Sequence, residues 1–321
     1  MRTKIILAGG SGFLGSVLSE YLATKDLEVV ILTRRPKTRG GPVREVHWDG
    51  ANLEDWRAEL EGARALINLA GVSVNCRYHA RNRRRMLDSR LSSTRVLGEA
   101  LGQCRNPPPV WLNSSTATIY RHTFGPAWDE EGVIGGCAEA KDAFSVHIAT
   151  EWERVFNEAP TPLTRKVALR SAMVLGHAGN SVLPNLLRLS RLGLGGTLAG
   201  GRQFVSWIHQ EDFVRAVAWI LDHEELAGPV NLAAPNPVTN TEFMSVIRRV
   251  CRAPFGLPSP RWLLEIGAFL LRTETELVIK SRRVVPGKLL AGDFVFRYPR
   301  LPAAIKALCL RAAPVPPDVG A

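Results

Sequence analysis

The hydrophobic positions in the first half of the chain alternate between two periods. Six apolar runs are typical of strands, and they lie at 4–10, 28–34, 43–48, 65–71, 110–115 and 165–176. Helical stripes separate several of these runs, at 12–25, 81–104 and 142–157. Strands that alternate with helices indicate an α/β fold, so we expect a Rossmann-type, doubly wound parallel sheet. Such sheets bind ligands at the carboxyl ends of their strands.

The alternation breaks beyond Gly176. A glycine-rich loop at 193–203 precedes a short strand and a helix within 204–221, and proline-rich connections separate the helices that follow. We expect this part to form mainly a smaller C-terminal α+β lobe that closes over the ligand edge of the sheet. Residues 311–321, which are rich in proline and glycine, are expected to be a flexible tail.

The composition is that of a globular protein with a sizeable core, since 45% of the 321 residues are hydrophobic. No apolar run approaches the roughly 20 residues of a membrane span, and the basic start of the chain lacks the small-residue cleavage site of a secretory leader. The five cysteines are scattered and form no CxxC pair, which indicates reduced thiols. We therefore expect a cytoplasmic protein with no membrane association and no metal site.

The net charge of +11 is concentrated in one stretch, because residues 77–95 contain seven arginines and one aspartate. Three interpretations are open: a solvated helical face, an anion site beside a phosphorylated cofactor or substrate, and a nucleic-acid surface. Aromatic side chains are not interleaved as a base-stacking platform requires. The pattern therefore disfavours a nucleic-acid partner.

The first apolar run is followed by three glycines, Gly9, Gly12 and Gly15. Glycines at this spacing, between a strand and a helix, let the backbone approach a pyrophosphate while the helix N-terminus offers free N–H groups. A tight turn without a ligand is the alternative. The second strand ends in Arg34 and Arg35, where an NAD site usually has an acidic residue for the ribose 2′-hydroxyl. Arginine would bind the 2′-phosphate instead, so the sequence predicts NADP(H) as cofactor.

Longer segments resemble a known family. The stretches GGSGFLG, NLAG and NSSTATIY resemble the extended short-chain dehydrogenase/reductases. The stretches ALRSAMVLG, GGTLAGGRQFVSWIHQEDFVRA and VVPGKLLAGDFVFRYP are similar to the atypical branch called the epimerase family, often described as NAD-dependent epimerase/dehydratases or as cell-division inhibitors. The resemblance covers nearly the whole chain. It implies an NADP-binding Rossmann domain over 1–175 and a substrate-side lobe over 176–310, which carries the family's small C-terminal domain and returns some elements to the core.

The resemblance also implies a set of cofactor-binding residues. A first group would surround the pyrophosphate: Gly9, Ser11, Gly12, Phe13, Leu14 and Gly15. A second group would hold the adenosine phosphate and the edge of the fourth strand: Thr33, Arg34, Arg35, Leu69, Ala70 and Gly71. Arg85 and Arg90 would approach the cofactor from the long basic helix, and Val174 would lie beside the nicotinamide.

The chemistry expected of the superfamily needs a Tyr-x-x-x-Lys pair on the helix after the fifth strand, because the lysine lowers the pKa of the tyrosine. That helix carries Phe144 and Ile148 at the corresponding places. Tyr21 and Lys25 have the spacing but lie in the first helix, so we interpret them as a coincidence. Thr116 and Tyr120, which follow the fifth strand, are the predicted catalytic residues.

Other polar groups also have explanations that involve no catalysis. His147 and Glu151 share a helical face and could exchange protons, but an exposed pair explains them as well. Trp207, His209 and Asp212 are expected to pack and to cap a helix. Thr116 and Tyr120 could likewise be strand-end residues that only form hydrogen bonds.

Two functional hypotheses follow. The first is an NADP(H)-dependent oxidoreductase or epimerase with a non-standard proton donor, acting on a carbonyl or sugar-nucleotide-like substrate. The second is an NADPH-binding sensor or scaffold without turnover, which the missing tyrosine–lysine pair favours. The sequence identifies neither the small-molecule substrate nor the oligomeric state.

Overall fold

A seven-stranded parallel sheet forms the centre of the computed structural model, which describes residues 3–38, 40–178, 181–270 and 274–311. The strands, in chain order, are β1 (Lys4–Ala8), β2 (Glu28–Thr33), β3 (Val43–His47), β4 (Ala65–Asn68), β5 (Val110–Thr116), β6 (Arg165–Ser171), β7 (Met173–Leu175), β8 (Phe204–Val205), β9 (Trp207–His209), β10 (Gly228–Leu232) and β11 (Val238–Thr239). The large sheet has the order β10-β6-β5-β4-β1-β2-β3. The Rossmann-type sheet predicted from the alternating pattern is therefore confirmed.

Ten α-helices lie in the described part of the chain. They are α1 (Phe13–Ala23), α2 (Ala80–Gln103), α3 (Ala143–Glu158), α4 (Val182–Arg191), α5 (Gln210–Asp222), α6 (Asn240–Cys251), α7 (Arg261–Leu270), α8 (Glu276–Ile279), α9 (Gly287–Ala291) and α10 (Leu301–Arg311). None of the described helices is long and apolar enough to cross a membrane.

The helices cover both faces of the sheet. On one face, Leu18 and Leu22 of α1 share a buried apolar cluster with Phe213 and Val217 of α5. On the other face, α2 and α3 pack against the sheet and bury a second cluster that includes Leu97 and Phe156. A sheet that is buried on both sides explains why its strands read as continuous apolar runs rather than as alternating ones.

The strand order reverses at β1, which pairs in parallel with β2 on one side and with β4 on the other. Crossover helices leave in opposite directions from this point, so a crevice opens beyond the carboxyl ends of β1 and β4. The loop after β1 carries the glycines singled out in the sequence. The fold therefore places that loop at the crevice.

The second half of the chain forms a separate lobe and also adds elements to the central sheet. Helices α4, α6 and α10 bury a separate apolar cluster, with Leu183, Phe243 and Ile305 among its members, and this is the smaller C-terminal lobe. Helix α5 and strand β10 instead return to the central sheet, where Phe213 and Val230 join the core.

The seventh strand of the sheet was not among the predicted strands. Strand β10 pairs in parallel with β6 and forms the edge of the sheet. It contains Pro229, which lowers a strand prediction because proline cannot donate a ladder hydrogen bond, but which an edge position tolerates. The tail predicted at 311–321 lies, apart from residue 311, outside the described residues.

Candidate functional site

A pocket of about 420 Å³ lies beyond the carboxyl ends of β1, β2, β3 and β4. Eight of the residues that the sequence assigned to a cofactor line it: Gly9, Ser11, Gly12, Thr33, Arg34, Leu69, Ala70 and Gly71. They come from three separate turns that the strand order brings together. The pocket therefore unites eight candidates that are up to 62 positions apart in the chain.

The absence of a side chain has a different structural consequence at each of the three glycines that follow β1. Gly9 has a φ of 72°, and a Cβ there would lie 2.6 Å from the Cα of Ala70. A Cβ on Gly15 would lie 2.1 Å from the carbonyl oxygen of Gly10, so this glycine allows α1 to start close to the loop. A Cβ on Gly12 would meet nothing within 4 Å, because Gly12 faces the open pocket.

The N-terminus of α1 is built to receive an anion. Gly12 is its N-cap, no side chain caps the helix, and no acidic residue lies in its first turn. The first N–H groups of a helix have no partner within the helix, and the helix dipole gives this end positive potential. Phe13 and Leu14 are not among the residues that line the pocket, although they form the first turn of this helix.

Arg34 follows the last residue of β2 directly, and its exposed side chain lines the pocket. Arg35 is exposed too, but it is not part of the pocket wall. One guanidinium is thus available at the place where the sequence predicted a contact with a 2′-phosphate. The structure therefore distinguishes Arg34, which lines the pocket, from Arg35, which does not.

One wall of the pocket was missed by the sequence reasoning. It consists of the segment that follows β3, residues Trp48, Asp49, Gly50 and Ala51. The Asp49 carboxylate accepts hydrogen bonds from the N–H groups of Ala51 (2.8 Å) and Asn52 (2.9 Å), which lower the pKa of that carboxyl. An ionised carboxylate in this wall can accept from an amino or hydroxyl group of a ligand. The sequence contained the information needed to find this wall, since residues 48–51 lie at the carboxyl end of a predicted strand.

Arg90 lies beneath the pocket rather than in its wall. Its Nη1 donates to the carbonyl oxygens of Val72 (3.2 Å) and Met86 (2.9 Å), and its guanidinium lies 5.0 Å from the centre of the Trp152 ring. Burial lowers the pKa of Arg90 to about 10. Ser89, the preceding residue, accepts the Val72 N–H at 3.1 Å. Arg90 and Ser89 together fix the segment that leaves β4.

Two further residues of the predicted set lie away from the pocket wall. Arg85 is exposed on α2, and Val174 of β7 packs against the central apolar cluster. Neither appears among the residues that line the pocket. Because a helix as long as α2 presents arginines in all directions, its basic stretch could not indicate which of them faces inward.

A second cavity, of about 470 Å³, lies beyond the carboxyl ends of β5 and β6. Val72 lines the first pocket and Val74 the second, so the segment after β4 borders both. Thr116 at the end of β5 and Ser171 at the end of β6 lie in the wall of this cavity. The opposite walls come from the C-terminal lobe, through α4, α6 and the segment around α8.

The polar end of this cavity is a hydrogen-bonded cluster around Thr118. The Thr116 hydroxyl oxygen accepts the Thr118 N–H at 3.1 Å, and the Thr118 hydroxyl accepts from Nε of Arg282 at 3.1 Å. Nζ of Lys280 donates to the Thr118 carbonyl oxygen at 2.6 Å and pairs with the Asp142 carboxylate at 2.5 Å. Burial lowers the pKa values of Lys280 and Arg282.

Tyr120 does not fit the catalytic role predicted for it. Only 1% of the residue is exposed, and it is not part of the cavity wall. Its hydroxyl donates to Oδ1 of Asn231 and accepts from Nη1 of Arg170, both at 2.8 Å. Arg170 in turn pairs with Glu153 at 2.8 Å. Desolvation raises the pKa of the Tyr120 phenol to about 12, so Tyr120 is a buried structural residue and this catalytic assignment is corrected.

The turn after β5 explains why Tyr120 is turned inward. Residues Ala117–Ile119 form one turn of 3-10 helix, which Thr116 caps through its side chain. Thr116 and Thr118 remain at the cavity, whereas Tyr120 packs with Ile119 and Ala149 in a small buried cluster. A sequence shows that a residue follows a strand, but not the direction in which the next turn points it.

The remaining polar candidates lie away from both cavities, as the non-catalytic interpretations of them predicted. Tyr21 and Lys25 line a separate pocket near α5, with the Lys25 ammonium 5.4 Å from the centre of the Tyr21 ring. His147 is exposed on α3, and Glu151 pairs with Arg154 at 2.8 Å.

The packing and capping roles expected of Trp207, His209 and Asp212 are confirmed. Trp207 is fully buried, and Nδ1 of His209 accepts the Glu211 N–H at the start of α5. Asp212 accepts the N–H groups of Arg297 and Tyr298. Within the described ranges, no group of three or more metal-ligating side chains occurs.

A family model described as the NAD dependent epimerase/dehydratase family matches residues 5–233, and a domain of unknown function, DUF1731, matches residues 259–308. The epimerase family protein SDR39U1 of Bos taurus is 31% identical over 307 residues, which cover 94% of this chain and 98% of that protein. The resemblance stated from the sequence is confirmed.

Two solved structures share the fold over nearly the whole chain. The crystal structure of human epimerase family protein SDR39U1 (isoform 2) with NADPH has a TM-score of 0.83 and 26% identity, and the match covers 96% of this chain and 99% of that one. The UDP-N-acetylglucosamine 4-epimerase of Bacillus cereus has a TM-score of 0.75 and 19% identity, with 98% and 99% covered. At that identity the likeness concerns the fold alone.

Gly12, the N-cap of α1, and Gly15, in the first turn of that helix, predict opposite outcomes. Gly12→Val adds a side chain where the pocket is open, at a backbone conformation that any residue adopts, so the free energy of unfolding should change by less than about 0.5 kcal/mol. The affinity for NADPH, measured by fluorescence titration, should fall at least about tenfold, because the added side chain would occupy the space where the pyrophosphate is expected. Gly15→Ala should instead lower the free energy of unfolding, measured in urea without cofactor, by about 2 kcal/mol or more. Unchanged NADPH binding in Gly12→Val would contradict the assignment of the pocket.

Proposed function

The chain belongs to the NAD dependent epimerase/dehydratase family, and on that premise we propose that it is an NADP(H)-dependent oxidoreductase or epimerase that acts on a carbonyl substrate. The observation that carries the proposal is the adjacency of two cavities. One is lined by the glycine loop and Arg34, the other by Thr116, and the segment from Val72 to Val74 borders both. A dinucleotide that spans them would present its reactive ring to the second cavity.

The residues of the first pocket suit NADPH. The uncapped N-terminus of α1 would hold the pyrophosphate, and Arg34 would hold the 2′-phosphate. The Asp49 carboxylate would accept from the adenosine half, and Arg90 would position the loop after β4 without touching the cofactor. The protein of Homo sapiens that shares this fold at 26% identity was crystallised with NADPH, which supports the same cofactor here.

When bound, NADPH supplies a hydride to a carbonyl carbon. The contribution of Thr116 follows from its own hydrogen bonds. Its oxygen already accepts the Thr118 N–H, so its O–H proton is left to donate into the cavity. A donor fixed in this way orients a substrate carbonyl oxygen and stabilises the negative charge that develops on it.

The walls of the second cavity would enclose the reacting groups from two sides. Strands β5 and β6 form one side, and α4, α6 and α8 of the C-terminal lobe form the other. The polar cluster around Lys280 and Arg282 is contributed by the second half of the chain, so both halves are needed to complete the site.

A second function is favoured by one specific observation. Helix α3 carries Phe144 and Ile148 where the superfamily carries its tyrosine and lysine, and Ile148 is buried rather than directed to the cavity. A chain without this pair could serve as an NADPH-binding sensor or scaffold.

The proposal includes a cytoplasmic location, which the five unpaired cysteines support because disulfides are rare in that compartment.

The choice of cofactor tests the first pocket. A charge-assisted contact contributes about 1.5–3 kcal/mol, so NADPH should bind about 10- to 100-fold more tightly than NADH. Arg34→Asp should abolish the preference, whereas Arg35→Asp should retain most of it, because only Arg34 lines the pocket. Fluorescence titration of each variant with both cofactors measures this. Equal dissociation constants in the unchanged protein, or equal losses in the two variants, would refute the role of Arg34.

The second cavity is tested by NADPH oxidation with a panel of aldehydes, ketones and nucleotide-linked keto-sugars. With any substrate that is turned over, Thr116→Ala should lower kcat by about 10²-fold, because the oriented donor is lost. The dissociation constant for NADPH should stay nearly unchanged, since the Thr116 side chain lies outside the first pocket.

Tyr120→Phe is the matched comparison for Thr116→Ala. It should lower the free energy of unfolding by about 1–3 kcal/mol, because the buried Oδ1 of Asn231 loses its donor and Nη1 of Arg170 is left with the Glu130 carbonyl oxygen at 3.3 Å. It should change kcat by no more than a few-fold. Full activity in Thr116→Ala would contradict the proposal, and tight NADPH binding with no oxidation across the panel would favour the sensor.

A further inference from the structure

The cavity beside Thr116 has two ends of different chemistry. The hydroxyl and cationic groups lie together around Thr118, as described above. The far end lies between α4 and α6 and is lined by Val182, Leu186, Phe243 and Met244. Asn240 is the polar residue of these two helices that lines the cavity, and its side-chain Oδ1 already accepts the Leu198 N–H at 2.9 Å.

Helix α4 shows how the apolar end of the cavity is built on the surface of the lobe core. Val182 and Leu186, which lie one turn apart, line the cavity. Leu183 and Leu187, one position further along, are buried in the core of the C-terminal lobe. Val182 and Leu186 therefore pack on the edge of the lobe core and also face the cavity, whereas Leu183 and Leu187 do not line it.

The charges in the cavity wall do not suit a diphosphate. Lys280 is paired with the buried Asp142, and the pair has no net charge. Among the described residues of the wall, Arg282 is the other cation, and Glu274 adds a carboxylate that accepts the Tyr78 N–H at 2.7 Å. Two phosphate charges placed against these groups and an apolar end would lose hydration without gaining matching cations.

The hydroxyl groups of the polar end are suited to a single carbonyl oxygen. The Ser206 hydroxyl is used by the backbone, since it donates to carbonyl oxygens of Arg282 and Val284 and accepts the Val284 N–H. Thr116 and Thr118 each have a hydroxyl proton left to donate, since their oxygens accept from the Thr118 N–H and from Nε of Arg282, and one carbonyl oxygen can accept two hydrogen bonds. A ligand that fits this cavity needs one carbonyl group at the polar end and apolar carbon at the other.

We propose that the ligand of this cavity is a carbonyl compound with an apolar body and at most one negative charge, and not a nucleoside-diphosphate sugar. The proposal rests on the function proposed above, because that function identifies the cavity as the substrate site. It adds the class of substrate, which sets the chain apart from sugar-nucleotide enzymes that share its fold.

Binding of a homologous series tests the substrate class without requiring turnover. The NADP⁺-loaded protein is titrated with 2-butanone, 2-pentanone, 2-hexanone and 2-octanone by ligand-observed NMR, and with UDP-glucose as the sugar-nucleotide probe. The affinity for the ketones should rise about fourfold for each added methylene until the cavity is full, since burial of one methylene contributes a factor of that size. UDP-glucose should show no saturable binding.

Two leucines of α4 provide a matched pair of variants. Leu186→Ala should shift the best-bound ketone to a chain longer by about two or three carbons, because it enlarges the cavity. Leu187→Ala removes the same atoms from the lobe core and should leave the preferred length unchanged. If Leu186→Ala does not fold, Val182→Ala serves the same purpose at the same wall.

The outcomes separate this proposal from the proposed function. Graded ketone binding without NADPH oxidation would support the substrate class and refute turnover. Oxidation of NADPH with ketone affinities that do not depend on chain length would support turnover and overturn the substrate class. Saturable binding of UDP-glucose, tighter than that of any ketone, would also overturn it, as would equal length preferences in Leu186→Ala and Leu187→Ala.

Discussion

The contact between the turns after β1 and β4 is the constraint on which the rest of the site depends. These strands are neighbours at the point where the strand order reverses, and a Cβ on Gly9 would lie 2.6 Å from the Cα of Ala70. Two backbones can approach this closely only if one of them has no side chain. The contact places the N-terminus of α1, Arg34 and the loop after β4 around one pocket.

The loop after β4 connects this constraint to the second cavity. Arg90 and Ser89 of α2 hold Val72 through its carbonyl oxygen and its N–H, and Val74 follows two residues later in the wall of the other cavity. Arg90 is itself held against the Trp152 ring of α3. Helices α2 and α3, which cover one face of the sheet, therefore also determine how the two cavities meet. The C-terminal lobe completes the second cavity, because Lys280 and Arg282 contact Thr118 from about 160 positions away.

The parts of this arrangement that depend on local sequence could be predicted. The glycine spacing, the apolar runs and the arginine at the end of β2 are each encoded within a few residues, and the order of a doubly wound sheet then brings them together. The parts that depend on partners far away in the chain could not be predicted from the sequence. Arg90 belongs to a basic stripe whose inward direction is set by Trp152, and Tyr120 is turned inward by a 3-10 turn and held by Asn231. The amphipathic second cavity depends on α4 and α6 from beyond residue 181, where the alternating pattern had already ended.

The most direct test of this account is a crystal structure of the protein with NADPH. We expect the 2′-phosphate within hydrogen-bonding distance of the Arg34 guanidinium, the pyrophosphate at the N-terminus of α1, and the nicotinamide ring at the mouth of the cavity that contains Thr116. A nicotinamide ring directed away from that cavity, or a 2′-phosphate bound without Arg34, would contradict the account.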